Sequence, residues 1–566
     1  MSGETATAFE VRPGVYCDSV VLMQLQRSLA ELDGVLDAGA VMATPANRAL
    51  LQTAGFSLED VTAEPDDLLI VIKAAGDDAA RGALGQVDEL LKRRRTQEAA
   101  GAFRPRSLAS AAGYLPQAEW VLISVPGRYA ADVAEEALAL GKHVFLYSDN
   151  VTLEDEIRLK QQAREKGLLL MGPDCGTAII NGIGLGFANR VRRGSIGLVA
   201  ASGTGLQAVS SGIHRLGGGI SQAIGTGGRD LQAGVGGITA LQAIDLLAND
   251  ASTDVIVVLS KPIDAAVAPQ IAAAARSSGK PVVLNLLGYP LPARQLGNLY
   301  FAATLHEAAV TAVALAEQPR SKVPVSAVTR PPKDAPSYLR GLFSGGTLAY
   351  ELLLGLQTFL TPLYSNIPLR PEQKLADVTV SKGHTILDLG EDAFTQGRLH
   401  PMMDNDLRLR RLQQEAADPE TGLIVLDVVL GEGSHPDPAA ELAPAIAAIR
   451  AERNMDVMVL VVGTDADPQD MEKQIEMLAE AGADVVRDTL EAVTYISERL
   501  TIPYRYEFAP VRLRVGDGQL AAINAGLASF MESAQAQGAE VVQVDWRPPA
   551  GGNEDLMAIL AKMKAG

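Results

Sequence analysis

Two segments of this chain repeat one pattern. The first runs Ser195-Ile196-Gly197-Leu198-Val199-Ala200-Ala201-Ser202-Gly203-Thr204-Gly205 and the second Arg340-Gly341-Leu342-Phe343-Ser344-Gly345-Gly346-Thr347-Leu348. Each reads as a short apolar strand, a serine-glycine turn and the start of a helix. The first N–H groups of a helix have no partner inside it, and they carry the positive end of its dipole. Such a turn therefore suits phosphate or carboxylate. The candidate anion-binding residues are Ser202, Gly203 and Thr204 in the first copy and Ser344, Gly345, Gly346 and Thr347 in the second. The plainer alternative for each serine is a helix cap. Two copies imply an anion held between two helix ends.

Further glycine-rich segments follow each copy. Gly225-Thr226-Gly227-Gly228-Arg229-Asp230 adds Gly227, Gly228 and Arg229 as candidate ligand contacts. Gly397-Arg398-Leu399-His400-Pro401 adds Arg398 and His400. An arginine supplies a fork of donors to an oxyanion, and a histidine moves protons near neutral pH. Either arginine can instead serve a surface ion pair, and His400 can be a structural histidine. Cys175, in Gly172-Pro173-Asp174-Cys175-Gly176-Thr177, is a candidate low-pKa thiol or a small residue in a tight turn. The histidines are dispersed and no Cys-x-x-Cys pair exists, so no metal site is expected.

The elements that position these residues alternate strand and helix. A chain of 566 residues exceeds one core, and about 150 residues per domain gives roughly four domains. Aromatic residues make up only 4% while aliphatic residues and glycine abound, as parallel α/β layers require. The expected class is α/β: a Rossmann-like domain, two flavodoxin-like domains and a small ferredoxin-like α+β domain at the N-terminus. The expected boundaries are 1–97 for the α+β domain, 98–192 for the Rossmann-like domain and 193–320 for the first serine-turn module. A linker, 321–337, then leads to the second module, 338–504, and a docking tail, 505–566. Within these, Val15–Leu22 reads as a strand, Gln24–Leu32 as a helix and Leu520–Ala534 as a helix. Trp546 in the tail reads as exposed and suited to docking partner subunits. The basic run from Lys92 to Arg95 reads as a solvated helix end.

A net charge of −19 argues against nucleic acid and against an anionic membrane surface. Two cysteines, Cys17 and Cys175, fit a reducing compartment, and no signal peptide or membrane-length apolar run is visible, so a cytoplasmic protein is expected.

The motif series from Gly172-Pro173-Asp174-Cys175 through Ser202-Gly203-Thr204 to Gly225-Thr226-Gly227-Gly228 resembles the α subunit of succinyl-CoA synthetase. With Gly397-Arg398-Leu399-His400-Pro401-Met402 and the Trp546-Arg547-Pro548-Pro549 tail, the whole chain resembles the FdrA family. That resemblance implies ligase-type domains whose two serine turns face a phosphoryl group. Family members are labelled acyl-CoA synthetases, and some are implicated as a subunit of oxamate carbamoyltransferase in allantoin breakdown, a branch of purine catabolism. The synthetases carry a phosphorylated histidine in a Gly-His-Ala-Gly segment. The matching stretch here, Leu296 to Ala302, has no histidine, and Lys261 stands near the place of the steadying glutamate. The glycine-rich CoA loop and a nucleotide-grasping domain are absent from the sequence.

The resemblance thus implies a transferase: a subunit of a heteromeric carbamoyltransferase converting oxalurate and phosphate to oxamate and carbamoyl phosphate. His400, Arg398 and Cys175 are its candidate catalytic residues. No cofactor is firmly implied; phosphate or carbamoyl phosphate is substrate. The partners implied are a small anionic substrate and the other carbamoyltransferase subunits, with a homodimer possible inside the assembly. The alternatives are an acyl-CoA synthetase with CoA as substrate and ATP bound by a partner, and a non-catalytic ligand-binding scaffold.

Overall fold

A computed structural model describes residues 5–13, 19–58, 61–64, 67–91, 104–317, 337–395, 399–453, 455–500, 506, 508–511, 513 and 520–549. Cys17, Arg398, the Lys92–Arg95 run and the linker expected at 321–337 (apart from Ser337) lie outside these residues. The chain forms two compact units, one of residues 1–151 with 519–566 and the other of residues 152–518.

The first unit opens with β1 (Ala6–Arg12), α1 (Ser19–Ala30), β2 (Val35–Met42), α2 (Pro45–Thr53), β3 (Leu68–Ala74) and α3 (Asp77–Gly85). The strands form an antiparallel sheet in the order β1-β3-β2. Leu68, Ile70 and Ile72 point to α1 and α3, while Leu69 and Val71 pack on Phe56 and Leu58 from the other face. Two-residue alternation along β3 thus feeds two small cores. The strand expected at Val15–Leu22 is not formed where it is described: Ser19 to Leu22 are helical, and the first strand lies earlier, at β1.

The unit continues with α4 (Leu108–Tyr114), β4 (Trp120–Ile123), α5 (Gly127–Ala139) and β5 (His143–Leu146).

The second unit begins with α6 (Leu153–Glu165), β6 (Leu170–Met171), β7 (Thr177–Ile180), β8 (Ile183–Gly186) and β9 (Arg193–Ala200). There follow α7 (Gly203–Arg215), β10 (Ile220–Gly225), α8 (Ile238–Asn249), β11 (Val255–Ser260) and α9 (Ala268–Ser277). The module ends with β12 (Val282–Leu286), the hairpin β13 (Gln295–Leu296) and β14 (Leu299–Phe301), and α10 (Leu305–Ala316). Its eight strands lie in the order β13-β14-β12-β11-β9-β10-β7-β8. The central β14-β12-β11-β9-β10 strands are parallel. Leu206, Val209 and Ile213 of α7 share a core with Ala308, Ala309 and Ala312 of α10, so these helices cover one face. Leu247 of α8 meets Gly197 on the other face.

The second module comprises β15 (Tyr338–Phe343), α11 (Gly346–Leu356), β16 (Leu363–Ser365), β17 (His384–Asp388), α12 (Asp392–Thr395) and α13 (Asp406–Ala417). It closes with β18 (Thr421–Val429), α14 (Pro438–Glu452), β19 (Asp456–Val462), α15 (Met471–Glu480), β20 (Asp484–Val486) and α16 (Thr489–Leu500). Its parallel sheet runs β16-β17-β15-β18-β19-β20. The two modules touch where the Tyr289 hydroxyl donates to the Gln357 carbonyl at 2.9 Å and Arg276 donates to Ser497 Oγ at 3.1 Å.

The tail returns to the first unit with β21 (Ala521–Ala525), α17 (Ala528–Gln535) and β22 (Glu540–Val544). The first half of the expected Leu520–Ala534 helix is therefore a strand. β21 is buried along its whole length and runs parallel to β4, giving the order β22-β21-β4-β5. Its alanine-rich sequence favours helix locally, and the sheet edge beside β4 overrides that preference. Trp546 is not a free docking side chain: its ring packs against Tyr129 of α5, with centroids 5.5 Å apart. The fold is thus α/β with parallel sheets and a small N-terminal α+β domain, as expected. No helix among the described residues is long and apolar enough to cross a membrane.

Candidate functional site

The first serine turn follows β9, a central strand. Ser202 caps α7, its Oγ accepting the Gly205 N–H at 3.1 Å. Gly203 and Thr204 lie at the open end of the helix, Gly203 half-buried and Thr204 exposed. The hydroxyl thus fulfils the capping role, and the helix end beyond it stays open to a ligand.

The glycine segment after β10 lies beside this turn, because Gly225 is paired with Ala200. A Cβ on Gly225 would lie 2.5 Å from Cys175 Sγ, and one on Gly227 2.6 Å from the Pro173 carbonyl. Gly227 also has a φ of +87°, which disfavours any side chain. The segment is therefore pressed onto the 172–177 turn. A second anchor is the buried Lys160 ammonium, which donates to the Thr226 carbonyl at 2.9 Å and to Asp230 at 2.7 Å and pairs with Glu156 at 2.9 Å. Asp230 in turn accepts the Thr239 and Ala240 N–H groups at the start of α8. Arg229 donates to Glu156 at 2.8 Å, so the expected ligand arginine belongs to this network.

Cys175 does not fit the role of a reactive thiol. It is buried, its Sγ donates to the Thr177 carbonyl at 3.7 Å, and burial pushes its pKa up to about 12. The thiolate, which is the nucleophile, is thereby suppressed.

The second serine turn differs from the first. The carboxylate of Asp427, fully buried on β18, accepts the Ser344 N–H at 2.7 Å and the Gly345 N–H at 2.8 Å. The Ser344 hydroxyl lies 3.0 Å from both carboxylate oxygens. Arg408 of α13, also buried, pairs with the same carboxylate at 3.2 Å and donates to the Asp427 carbonyl. The anion expected at Ser344 and Gly345 is thus the chain's own. The next two residues, Gly346 and Thr347, open α11, and Asp388 at the end of β17 stands against Gly346. Burial pushes the Asp388 pKa up, and the nearby Glu391 and Asp427 charges add to this. His400 packs beside it, its Nδ1 accepting the Met402 N–H at 3.2 Å and its Nε2 lying against Gly390 together with Asp388 Oδ1. The second turn therefore gathers carboxylates and a histidine. The paired cradle for one anion is not what it provides. The modules meet through the C-terminal end of α11, a helix length of about 16 Å from the turn.

Asp427, Arg408, Asp388, Lys160, Glu156 and Asp230 were not among the expected site residues. The signal for them is a charged residue at an inward position, such as the aspartate inside Leu423-Ile424-Val425-Leu426-Asp427-Val428-Val429.

Comparison with known proteins agrees with this architecture. A family model described as CoA-ligase matches residues 342–496, one described as CoA binding domain matches 191–286, and one described as "AllF, heavy metal-associated domain" matches 5–105. That last stretch holds one cysteine, Cys17, and no histidine, so it offers no Cys/His pair to a soft metal. Among the described residues no group of three or more His, Cys, Asp or Glu is placed to hold a metal ion. The chain is 27% identical over 179 residues to "Succinate--CoA ligase [ADP-forming] subunit alpha 1" of Archaeoglobus fulgidus, spanning 31% of this chain and 60% of that protein. A solved acetyl-coenzyme A synthetase from Ca. Korarchaeum cryptofilum aligns over 74% of this chain and 85% of its own, at 15% identity and a TM-score of 0.28, which bears on neither fold nor function. "Uncharacterized protein YahF" of Escherichia coli K12 is 42% identical over 487 residues, covering 83% of this chain and 94% of YahF. The chain belongs to the family of YahF, an FdrA-like family with succinyl-CoA ligase α-subunit similarity.

Proposed function

We propose that this protein is the phosphate-handling subunit of an acyl-group transferase, and that the group transferred is carbamoyl. The observation that carries the reading is the pairing of an open α7 N-terminus with a β13–β14 hairpin that holds no phosphorylatable histidine. An open helix end with its dipole suits a phosphate dianion. Without the histidine, a synthetase cycle has no covalent relay in this hairpin, while direct transfer to phosphate needs none. In that reaction a phosphate oxygen attacks the terminal carbamoyl carbon of oxalurate. The bond from that carbon to the inner nitrogen breaks, the nitrogen takes up a proton, and oxamate and carbamoyl phosphate leave. Amides fixed at α7 would stabilise the charge on the phosphoryl oxygens without reorganising. The proton balance closes on the substrates themselves: the attacking hydrogen phosphate gives up the proton that the leaving nitrogen takes.

The test is turnover of oxalurate by the chain together with its partner subunits, with and without phosphate. Phosphate-dependent formation of oxamate is expected, and a Ser202→Ala variant should lose far more activity than a cap worth about 1 kcal/mol explains.

The CoA-ligase likeness favours a second reading, an acyl-CoA ligase whose ATP site is supplied by a partner. Stable transfer of label from ATP to a histidine of this chain, followed by CoA-dependent discharge, would select it over carbamoyl transfer.

A further inference from the structure

Two carboxylates of the second module differ in what they hold. Asp427 uses both oxygens inside the protein, on the Ser344 and Gly345 N–H groups and on Arg408. Asp388, the last residue of β17, uses one. Its Oδ1 accepts the Gly390 N–H at 2.9 Å, and no donor among the described residues reaches its Oδ2. The residue is only 8% exposed. A buried carboxylate oxygen without a donor is costly unless a ligand or water completes it. The carboxylate is also held in place from behind: Asn366 accepts the Asp388 N–H and donates to its carbonyl, both at 2.9 Å.

Asp388 Oδ2 is aimed at the start of α11. A Cβ on Gly346 would lie 2.6 Å from Oδ2 and 3.9 Å from Oδ1. Any side chain at position 346 would cover this oxygen, and glycine leaves it reachable. The N–H groups beyond those taken by Asp427 are open. The first bond inside α11 runs from the Ala349 N–H to the Gly345 carbonyl, and no residue among the described ones accepts the Gly346 or Thr347 N–H. Thr347 is exposed, so this helix end faces solvent. His400 adds a donor on the same side. Its Nδ1 accepts the Met402 N–H, which leaves the proton of the neutral ring on Nε2, 2.7 Å from the Cβ position of Gly390.

Free amides therefore stand next to a free carboxylate oxygen. A ligand carboxylate matches the amides, but its second oxygen meets Asp388 amid the charges of Glu391 and Asp427. A carboxamide matches both, with a carbonyl acceptor on one side and N–H donors on the other. We propose that the start of α11 recognises a carboxamide or ureido group, the carbonyl oxygen taking the Gly346 and Thr347 amides and the N–H donating to Asp388 Oδ2. The site does not depend on phosphate at α7, and it rests on the carbamoyl-transfer reading only for the choice of oxamate as a probe.

The experiment is calorimetric titration of the full-length chain with oxamate and oxalate, which differ by one amide in place of one carboxylate, and with the matching pair succinamate and succinate. In at least one pair, wild type should bind the amide about tenfold or more tightly, the worth of a hydrogen bond to a charged group. Asp388→Asn keeps an oxygen for the Gly390 N–H and offers the ligand a donor, so it should lose that preference or turn it toward the carboxylate. Glu391→Gln removes an exposed charge without removing the acceptor, and it should keep the preference. Thermal denaturation checks that both variants fold. No amide preference by wild type in either pair, or the same loss in Glu391→Gln as in Asp388→Asn, overturns the proposal. An amide preference set by Asp388, in a complete assembly that does not turn over oxalurate, would overturn the reaction and leave the site standing.

Discussion

Asp427 serves Ser344 as an internal anion: one carboxylate takes the backbone N–H of the serine at 2.7 Å and lies 3.0 Å from its hydroxyl with each oxygen. At Ser202, no carboxylate among the described residues accepts the N–H groups of the turn in this way. Two turns of one sequence pattern have thereby divided into an open one and a self-occupied one.

Replacing Asp427 by alanine should be severely destabilising. It leaves the Arg408 guanidinium buried without its partner and the Ser344 and Gly345 amides unpaired. Breaking one side of a buried ion pair costs about 3–5 kcal/mol. Urea denaturation followed by circular dichroism should show that loss for Asp427→Ala and a smaller one for Asp427→Asn.

The Lys160 network makes a parallel prediction for the first module. Lys160→Met removes the cation that neutralises Glu156 and Asp230 and that ties down the Thr226 carbonyl. A loss of about 3 kcal/mol or more is expected. Hydrogen exchange should show the Gly225–Arg229 segment opening before the rest of the module.

His384 gives the molecule an acid-sensitive step. It is buried on β17, its Nδ1 accepts the Leu339 N–H at 3.1 Å, and burial together with the Arg340 charge lowers its pKa to about 4. The unfolded chain takes up this proton near pH 6.5 and the folded one does not. Stability from this group is complete above about pH 6.5 and falls as pH drops toward 4, by about 3 kcal/mol in total. Denaturation midpoints measured across that range should fall for wild type, and the His384→Gln variant should lack this component.

Cys175 should be chemically silent in the folded protein. With its pKa pushed up to about 12 and its side chain buried, it should resist iodoacetamide at pH 8 until the chain is unfolded. The measurement needs a Cys17→Ser background, so that mass spectrometry reports Cys175 alone. Cys175→Ala should retain activity in the assembled complex, whereas a nucleophile would lose nearly all of it.

The α/β class, the central strands of both modules and the serine turns at strand ends were legible in the sequence, while the short edge strands were not. Aliphatic runs of strand length bounded by glycine leave few other ways to bury apolar surface, and a serine before Gly-Thr-Gly is a local capping signal. The same local patterns misplaced the first strand and the tail. Ser19–Leu22 and Ala521–Ala525 have periodicities compatible with either state, and neighbouring strands decide between them. Only the tertiary structure told the two serine turns apart. What fills a helix end is set by a residue far along the chain, Asp427 at the Ser344 turn, whereas among the described residues no side chain accepts the Gly203 or Thr204 N–H at the first. Strand order fixed that meeting, and strand order depends on long-range packing that no local spacing encodes.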